Sequence, residues 1–334
     1  AVTDSAKANA SPINSHLVIA IDVIAANRTE DALNVAKTIS LNAASTWDGG
    51  SISLLPFGID LFEQTVVSTD SDNRENIFER FFEDIDKTPT SKISNLFRPV
   101  ATIFDYLSQV EALAGSSGLI ITDNGLENHT DNEQRRLLEF AGLIQSEGWI
   151  LDIAALPHAS PKSRIYLKDL AEIAGGGSYD TGTTMGIFTF LNHSYKTQSV
   201  PSIQTALPKS ATALATVEIA PMTDQLFITA VREKPDAHFE IFDTRGAPVN
   251  SLRSDTTSFE TPNAIVIGIT KPDAGTWTLQ AIGDGSNLLV GVHVENPLEL
   301  GLVDAPPIPV GQPTLISAAA SIGDQIIPLE GSYM

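Results

Sequence analysis

The chain has 334 residues, 42% of them apolar, with 41 acidic against 20 basic side chains, a net charge of −21 and no cysteine. That length suits two domains of ordinary size with real cores. The charge makes nucleic acid a poor partner, the missing cysteine excludes disulfides, thiolate metal sites and a cysteine nucleophile, and no apolar run reaches the roughly 20 residues of a membrane span.

Residues 1–15, opening on AVTDSAKANASP, read as a polar N-terminal arm. They lack the basic-plus-apolar pattern of a signal peptide. Without an initiator Met they fit a trimmed precursor or a piece of a longer chain.

From residue 16 to about 196 the chain alternates between strand-like and helix-like segments. The strands expected are HLVIAID (16–22), SISLLPFG (51–58), LFEQTVV (61–67), GLIITD (118–123), WILDIAAL (149–156) and the short GGSYD (176–180). Most are continuous apolar runs, as strands covered on both faces require. Helices are expected at 29–45, which has a Thr start and early acids, and at 73–85, with Ile77, Phe81 and Phe82 on one stripe. Others follow at 98–114, at 131–148 from an Asp cap to Gly148, at 163–177 and at 183–195. Such alternation implies an α/β fold, a doubly wound and mostly parallel sheet between helical layers. The two residues between 58 and 61 force an antiparallel hairpin, making 61–67 the odd edge strand.

The character changes near residue 197. TQSVPSIQTALPKSA reads as a linker over 197–210. Short strands with turn residues between them then fill 211–296, the pattern of a β-sandwich. The tail, 297–334, has a Pro-rich hinge and apolar runs that form strands but are too few for a domain.

Residues 16–196 resemble a von Willebrand factor A domain. The resemblance rests on the ordered set HLVIAID, a long helix, LLPFG with its hairpin partner, SNLFRPVATIFDYL, GLIITDNGLEN, and WILDIAALP with LKDLAEIAGGGSY. It implies an adhesion site for Mg²⁺ or Mn²⁺ at the carboxyl edge of the sheet. In that family an Asp-x-Ser-x-Ser loop, a Thr and a second Asp supply the oxygens that hard cations need. Asp22 matches the first Asp, Ser94 stands for the Thr, and Asp123 matches the third-loop Asp. Ile24 and Ala26 stand where both serines belong. The resemblance therefore implies a lost or weakened site with no resident cofactor, at most a weakly held Mg²⁺ or Ca²⁺. Restoring the two serines is expected to raise metal affinity. The purely structural alternative is that Asp22 and Asp123 cap helices and satisfy loop amides. The same edge would offer Asp22, Asn27, Ser94, Asn124, Glu127 and His158 to a partner.

Residues 211–296 resemble the immunoglobulin-like β domain that follows such A domains in hemicentin-like and chloride-channel-regulator-like surface proteins. The carrying stretches are ALATVEIAPMTDQLFITAV, HFEIFDTRGAPV and ITKPDAGTWTLQAIG, the last making Trp277 a core residue rather than a ligand contact.

No other chemistry stands out. The six histidines form no His-x-x-x-His pair, and His129 and His158 read as loop residues. The glycines of AGGGSYD follow a helix and read as its cap. Sequons at Asn27, Asn128 and Asn192 are no more than chance supplies. The expected function is a non-enzymatic protein-binding or adhesion protein, secreted, periplasmic or on the cell surface, with a protein partner or self-association. The rival is a structural subunit of an extracellular assembly that exchanges strands through its tail.

Overall fold

A computed structural model describes residues 15–47, 50–58, 65–68, 74–86, 94–125, 129–193, 199–206, 212–233, 237–249, 253–282, 287–295, 298–304, 317–322 and 325–327. Residues 1–14 of the N-terminal arm lie outside them.

The first half is an α/β layer structure. Its strands are β1 (His16–Asp22), β2 (Ser51–Phe57), β3 (Thr65–Ser68), β4 (Ser117–Thr122), β5 (Ile150–Ala155) and β6 (Ser178–Asp180), in the order β3-β2-β1-β4-β5-β6. Every neighbouring pair is parallel except β2 with β3. The hairpin expectation therefore holds for 65–68, and residues 61–64 of that expected strand lie outside the described residues. The helices are α1 (Val23–Ala26), α2 (Glu30–Ser45), α3 (Arg74–Asp86), α4 (Phe97–Gln109), α5 (Asp131–Ser146), α6 (Pro161–Ile173) and α7 (Thr184–His193).

Strand periodicity explains the two cores. Successive side chains point to opposite faces. Leu17, Ile19 and Ile21 of β1 therefore join one cluster with Val35 and Ile39 of α2, Phe78, Phe82 and Ile85 of α3, and Phe190 and Leu191 of α7. Val18 and Ala20 face the other way, against Val100, Ile103 and Leu107 of α4, Leu137 and Ile144 of α5, and Leu167 and Leu170 of α6.

Three sequence expectations change locally. The buried stripe of α3 is Phe78, Phe82 and Ile85, so Phe82 keeps its expected place while Ile77 and Phe81 are partly buried beside it, since 78, 82 and 85 at spacings of four and three share one helix face. Helix α5 is capped by Thr130, not Asp131: the Thr130 hydroxyl accepts from the Glu133 amide while the Glu133 carboxylate accepts from the Thr130 amide, a capping box. Helix α4 stops at Gln109, and Glu111 lies at φ 51, a left-handed conformation that ends the helix before residue 114. Gly148, at φ 75, terminates the α5 turn as its sequence position implied.

The second half is all β. Its strands are β7 (Ser199–Ala206), β8 (Thr212–Ile219), β9 (Gln225–Arg232), β10 (His238–Phe242), β11 (Thr256–Glu260), β12 (Ala264–Thr270), β13 (Gly275–Ile282) and β14 (Asn287–Glu295). They form sheets β10-β13-β8 and β11-β12-β9-β14-β7, antiparallel throughout. Leu226, Ile228, Trp277, Leu279 and Val290 fill the space between them. Trp277 is fully buried and its indole N–H donates to the Asp273 carbonyl at 2.8 Å. The segment expected as a linker contains β7, an edge strand paired with β14. Pro201 is tolerated there because an edge strand leaves one row of its backbone amides outside the ladder.

The tail strands β15 (Leu298–Asp304), β16 (Ser317–Ile322) and β17 (Gln325–Ile327) pair antiparallel with one another in a separate small sheet.

The two halves share a core. The outward residues of β9, β12 and β14, namely Val231, Ala264, Val266 and Leu289, join the cluster that contains α2 and α7. Thr38 of α2 and Thr261 share a hydrogen bond of 2.6 Å, and the Asn263 amide donates to Asp31 at 3.4 Å. Asn192 of α7 bonds His293 of β14. A Cβ on Gly291 would meet the amide end of the Asn192 side chain, so a larger residue there would have to displace it.

Candidate functional site

The carboxyl edge of a parallel sheet is where the strands release their loops. It is the default place for a site in this architecture. Here β1 ends on Asp22, β4 on Thr122 and Asp123 follows it. The loop ahead of α4 brings in Ser94.

Asp22 is fully buried and fully engaged. Its Oδ1 accepts from the amides of Ile24 (3.1 Å) and Ala25 (3.0 Å), capping α1. Its Oδ2 accepts from the hydroxyls of Thr122 (2.7 Å) and Ser94. A carboxylate offers about four lone-pair sites. These four donors use them. Burial pushes the Asp22 carboxyl up to about 6, against the opposing pull of the Ser94, Thr122 and Ala25 hydrogen bonds, with the nearby Asp123 raising it further.

Asp123 is also buried, its side chain 2% exposed, and its Oδ2 meets the Arg28 guanidinium at 2.7 Å. Arg28 itself is 41% exposed at the side chain. A positive charge from the chain thus stands on the carboxylate to which the resemblance assigns a cation.

Ser94 and Asn124 are buried as well. The Asn124 amide group donates to the Ser94 carbonyl and, at 3.4 Å, to its hydroxyl, and the Asn124 backbone N–H donates to Thr122 Oγ1 at 3.0 Å. His129 is held inside the protein: its Nε2 accepts from the Leu96 amide at 3.0 Å at the start of α4. His158 is exposed and meets Thr29 Oγ1 at 3.3 Å. Asn27 is half-buried and donates to the Ile85 carbonyl. Glu127 and Asn128 lie outside the described residues.

Ile24 and Ala26 belong to the core. They are 6% and 0% exposed, in the cluster with α2 and the sheet. The residues after Asp22 fold as one helical turn, and its side chains pack inward. A hydroxyl at either position would enter hydrocarbon.

The residues present do not fit a resident divalent cation. Asp22 has no lone pair left, Asp123 carries Arg28, and two of the oxygen positions are hydrocarbon. Among the described residues no group of three or more His, Asp or Glu side chains stands together as a metal site.

The structure places Asp22, Ser94 and Asp123 together at this edge. The resemblance missed Thr122 and Arg28. Thr122 was legible as the residue before Asp123 at the end of a strand. Arg28 was legible as the one cation in the loop that lacks the serines.

No protein-family model and no curated protein matches this sequence. Among solved structures, the chain is similar to the von Willebrand factor type A protein from Catenulispora acidiphila, with 13% identity and a TM-score of 0.39 over 86% of this chain and 60% of that one. It thus spans less than two thirds of that protein's length. It is similar to the conserved hypothetical protein BatB from Bacteroides thetaiotaomicron, with 12% identity and a TM-score of 0.39 over 53% of this chain and 96% of that one. The manganese-loaded TRAP protein of Plasmodium vivax shows 13% identity and a TM-score of 0.40 over 61% of this chain and 86% of that one.

Proposed function

We propose that the chain is a non-enzymatic protein-binding protein of the cell exterior whose sheet-edge site works without a divalent cation. The observation that carries this reading is the saturation of Asp22 by four donors of the chain itself. A carboxylate so engaged is neither a free base nor a free metal ligand, and Arg28 supplies the positive charge at Asp123. With Asp22, Ser94 and Asn124 buried, the contacts of this edge fall, among the described residues, to Asn27, Arg28 and His158. Among the described residues no helix is long and apolar enough to cross a membrane.

The test is capture of partners from the native source by the full chain, with and without chelator, beside an Arg28→Ala chain. Partners retained in chelator and lost with Arg28→Ala support the reading. Partners lost in chelator overturn it.

A second reading, a structural subunit of an extracellular assembly, draws on the tail. β15 and β17 are the outer strands of their own small sheet, and an outer strand offers unpaired backbone groups to a neighbouring chain. Deleting 297–334 removes that sheet whole and leaves the other strand pairings intact. Self-association that disappears on this deletion favours the second reading.

A further inference from the structure

Helices α5 and α6 leave an open groove of about 450 Å³ between them, lined by Leu138, Tyr166, Asp169, Glu172 and Ile173. It lies on the helical face, away from the sheet edge. On α6 the lining residues repeat at three and four positions, so they share one face. Ile165, 65% exposed, sits one turn before Asp169 and continues that face. Leu138 and Ile173 are 37% and 38% exposed. Single exposed apolar residues are ordinary; here two line the groove and Ile165 lies beside them on the same helix face. One turn beyond Leu138, Gly142 faces open space. A glycine inside a helix costs stability relative to alanine, and here no packing demands it.

Tyr166 adds a second observation. It is 8% exposed, and its hydroxyl is buried with no hydrogen-bond partner among the described residues. Buried hydroxyls nearly always find a partner. Beside it Asp169 and Glu172 put two carboxylates at the groove. Among the described residues the ion pair there, Lys168 with Glu172 at 3.6 Å, joins two side chains each at least 60% exposed, so a competing cation displaces it at little cost. Lys162 is in the first turn of α6, outside the lining.

We infer that the α5–α6 groove is a docking site for a basic amphipathic segment of a partner protein, one that inserts apolar side chains between Leu138 and Ile173 and sets a Lys or Arg against Asp169 and Glu172. The depression is open rather than enclosed, and helix-in-groove recognition uses this combination of apolar anchors and flanking charge. A net charge of −21 favours the encounter. The inference rests on the protein-binding reading but concerns a different face, so an Arg28→Ala chain, altered only at the sheet edge, separates the failure of one from that of the other.

The experiment titrates isotopically labelled full chain with a synthetic peptide of Leu and Lys at helical spacing, and with its Glu-for-Lys counterpart. Binding of the Lys peptide alone, with amide shifts confined to α5 and α6 and unchanged in Arg28→Ala, is the expected result. Asp169→Lys/Glu172→Lys should weaken it about tenfold or more, while the charge-matched Glu240→Lys/Glu295→Lys on the β half weakens it less than about twofold. Tyr166→Phe should raise the melting temperature, because it removes an unpartnered hydroxyl, and lower the affinity, a combination that a purely structural tyrosine does not give. Equal loss from both reversal pairs, shifts spread over other surfaces, or equal binding of the Glu peptide overturns the groove.

Discussion

Arg28 closes over Asp123 with 2.7 Å between guanidinium and carboxylate, one side chain 41% exposed and the other 2%. The exposed partner supplies the charge and the buried one the anchor. Removing Arg28 leaves a buried carboxylate without its cation, which destabilises more than a surface pair is worth. Arg28→Ala should therefore cost about 1–2 kcal/mol, discounted for the solvent around the arginine. Asp123→Asn in the Arg28→Ala background should recover part of that loss. Thermal melts of the two single variants and the double variant measure the coupling, and additive effects would show that the pair contributes nothing.

Ile24 and Ala26 argue a second prediction. The sequence suggested that serines there would rebuild a metal site. Their burial changes that expectation, since both side chains point into the core under α2. Ile24→Ser should cost about 3 kcal/mol, from lost burial and an unsatisfied hydroxyl. Calorimetry with Mg²⁺, Mn²⁺ and Ca²⁺ should register no gain for Ile24→Ser/Ala26→Ser. A measurable gain in affinity would mean that the turn after β1 reopens to present oxygens outward.

Asp22 gives the molecule a pH signature. Its carboxyl, ordinarily near 3.8, sits at about 6 in the folded chain, chiefly because burial penalises its charge. Between those values the folded state holds the proton more tightly than the unfolded state. The stabilisation is complete below the ordinary value and is lost as pH rises through about 6. The whole shift corresponds to roughly 3 kcal/mol at most. Asp22→Asn cannot ionise, can keep an oxygen for the α1 cap, and leaves the Ser94 and Thr122 hydroxyls free to reverse their roles. Denaturant melts from pH 4 to 7 should show wild type losing stability relative to Asp22→Asn across that window. Parallel curves would place the titration elsewhere.

The sheet, its one antiparallel edge and most of the helices were legible because their signals are local. A run such as HLVIAID carries its own burial, and Thr29 with acids in the turn that follows carries its own cap. What was not legible depended on partners far apart in the chain. Nothing in DNGLEN announces that Asp123 is answered by Arg28, nearly a hundred residues earlier, or that Ser94 and Thr122 converge on one oxygen of Asp22. The strand within 199–206 was hidden because its proline and polar residues read as a linker until β14 is there to pair with it. The shared core between the halves was hidden for a related reason. The outward residues of β9, β12 and β14 are apolar as well as the inward ones, and alternation alone could not say that α2 and α7 cover them.

That shared core supplies the last prediction. Val231, Ala264, Val266 and Leu289 contribute to the same apolar cluster as α7, and Gly291 leaves room for Asn192, which bonds His293. The two halves should therefore unfold together in calorimetry, since neither can separate without exposing part of the common core. Gly291→Val puts a branched side chain where even a Cβ meets Asn192. The strain of overpacking, about 1–3 kcal/mol, falls on the contact between α7 and β14. Within β14 itself valine is a good strand residue, so the sandwich pairing should survive. The expected outcome is a split of the single transition into two, with the far-ultraviolet spectrum at low temperature unchanged. A single transition at an unaltered temperature would mean that the Asn192 side chain moves aside and the contact does not need glycine, whereas two transitions already present without the substitution would mean that the halves are joined by the chain rather than by their core.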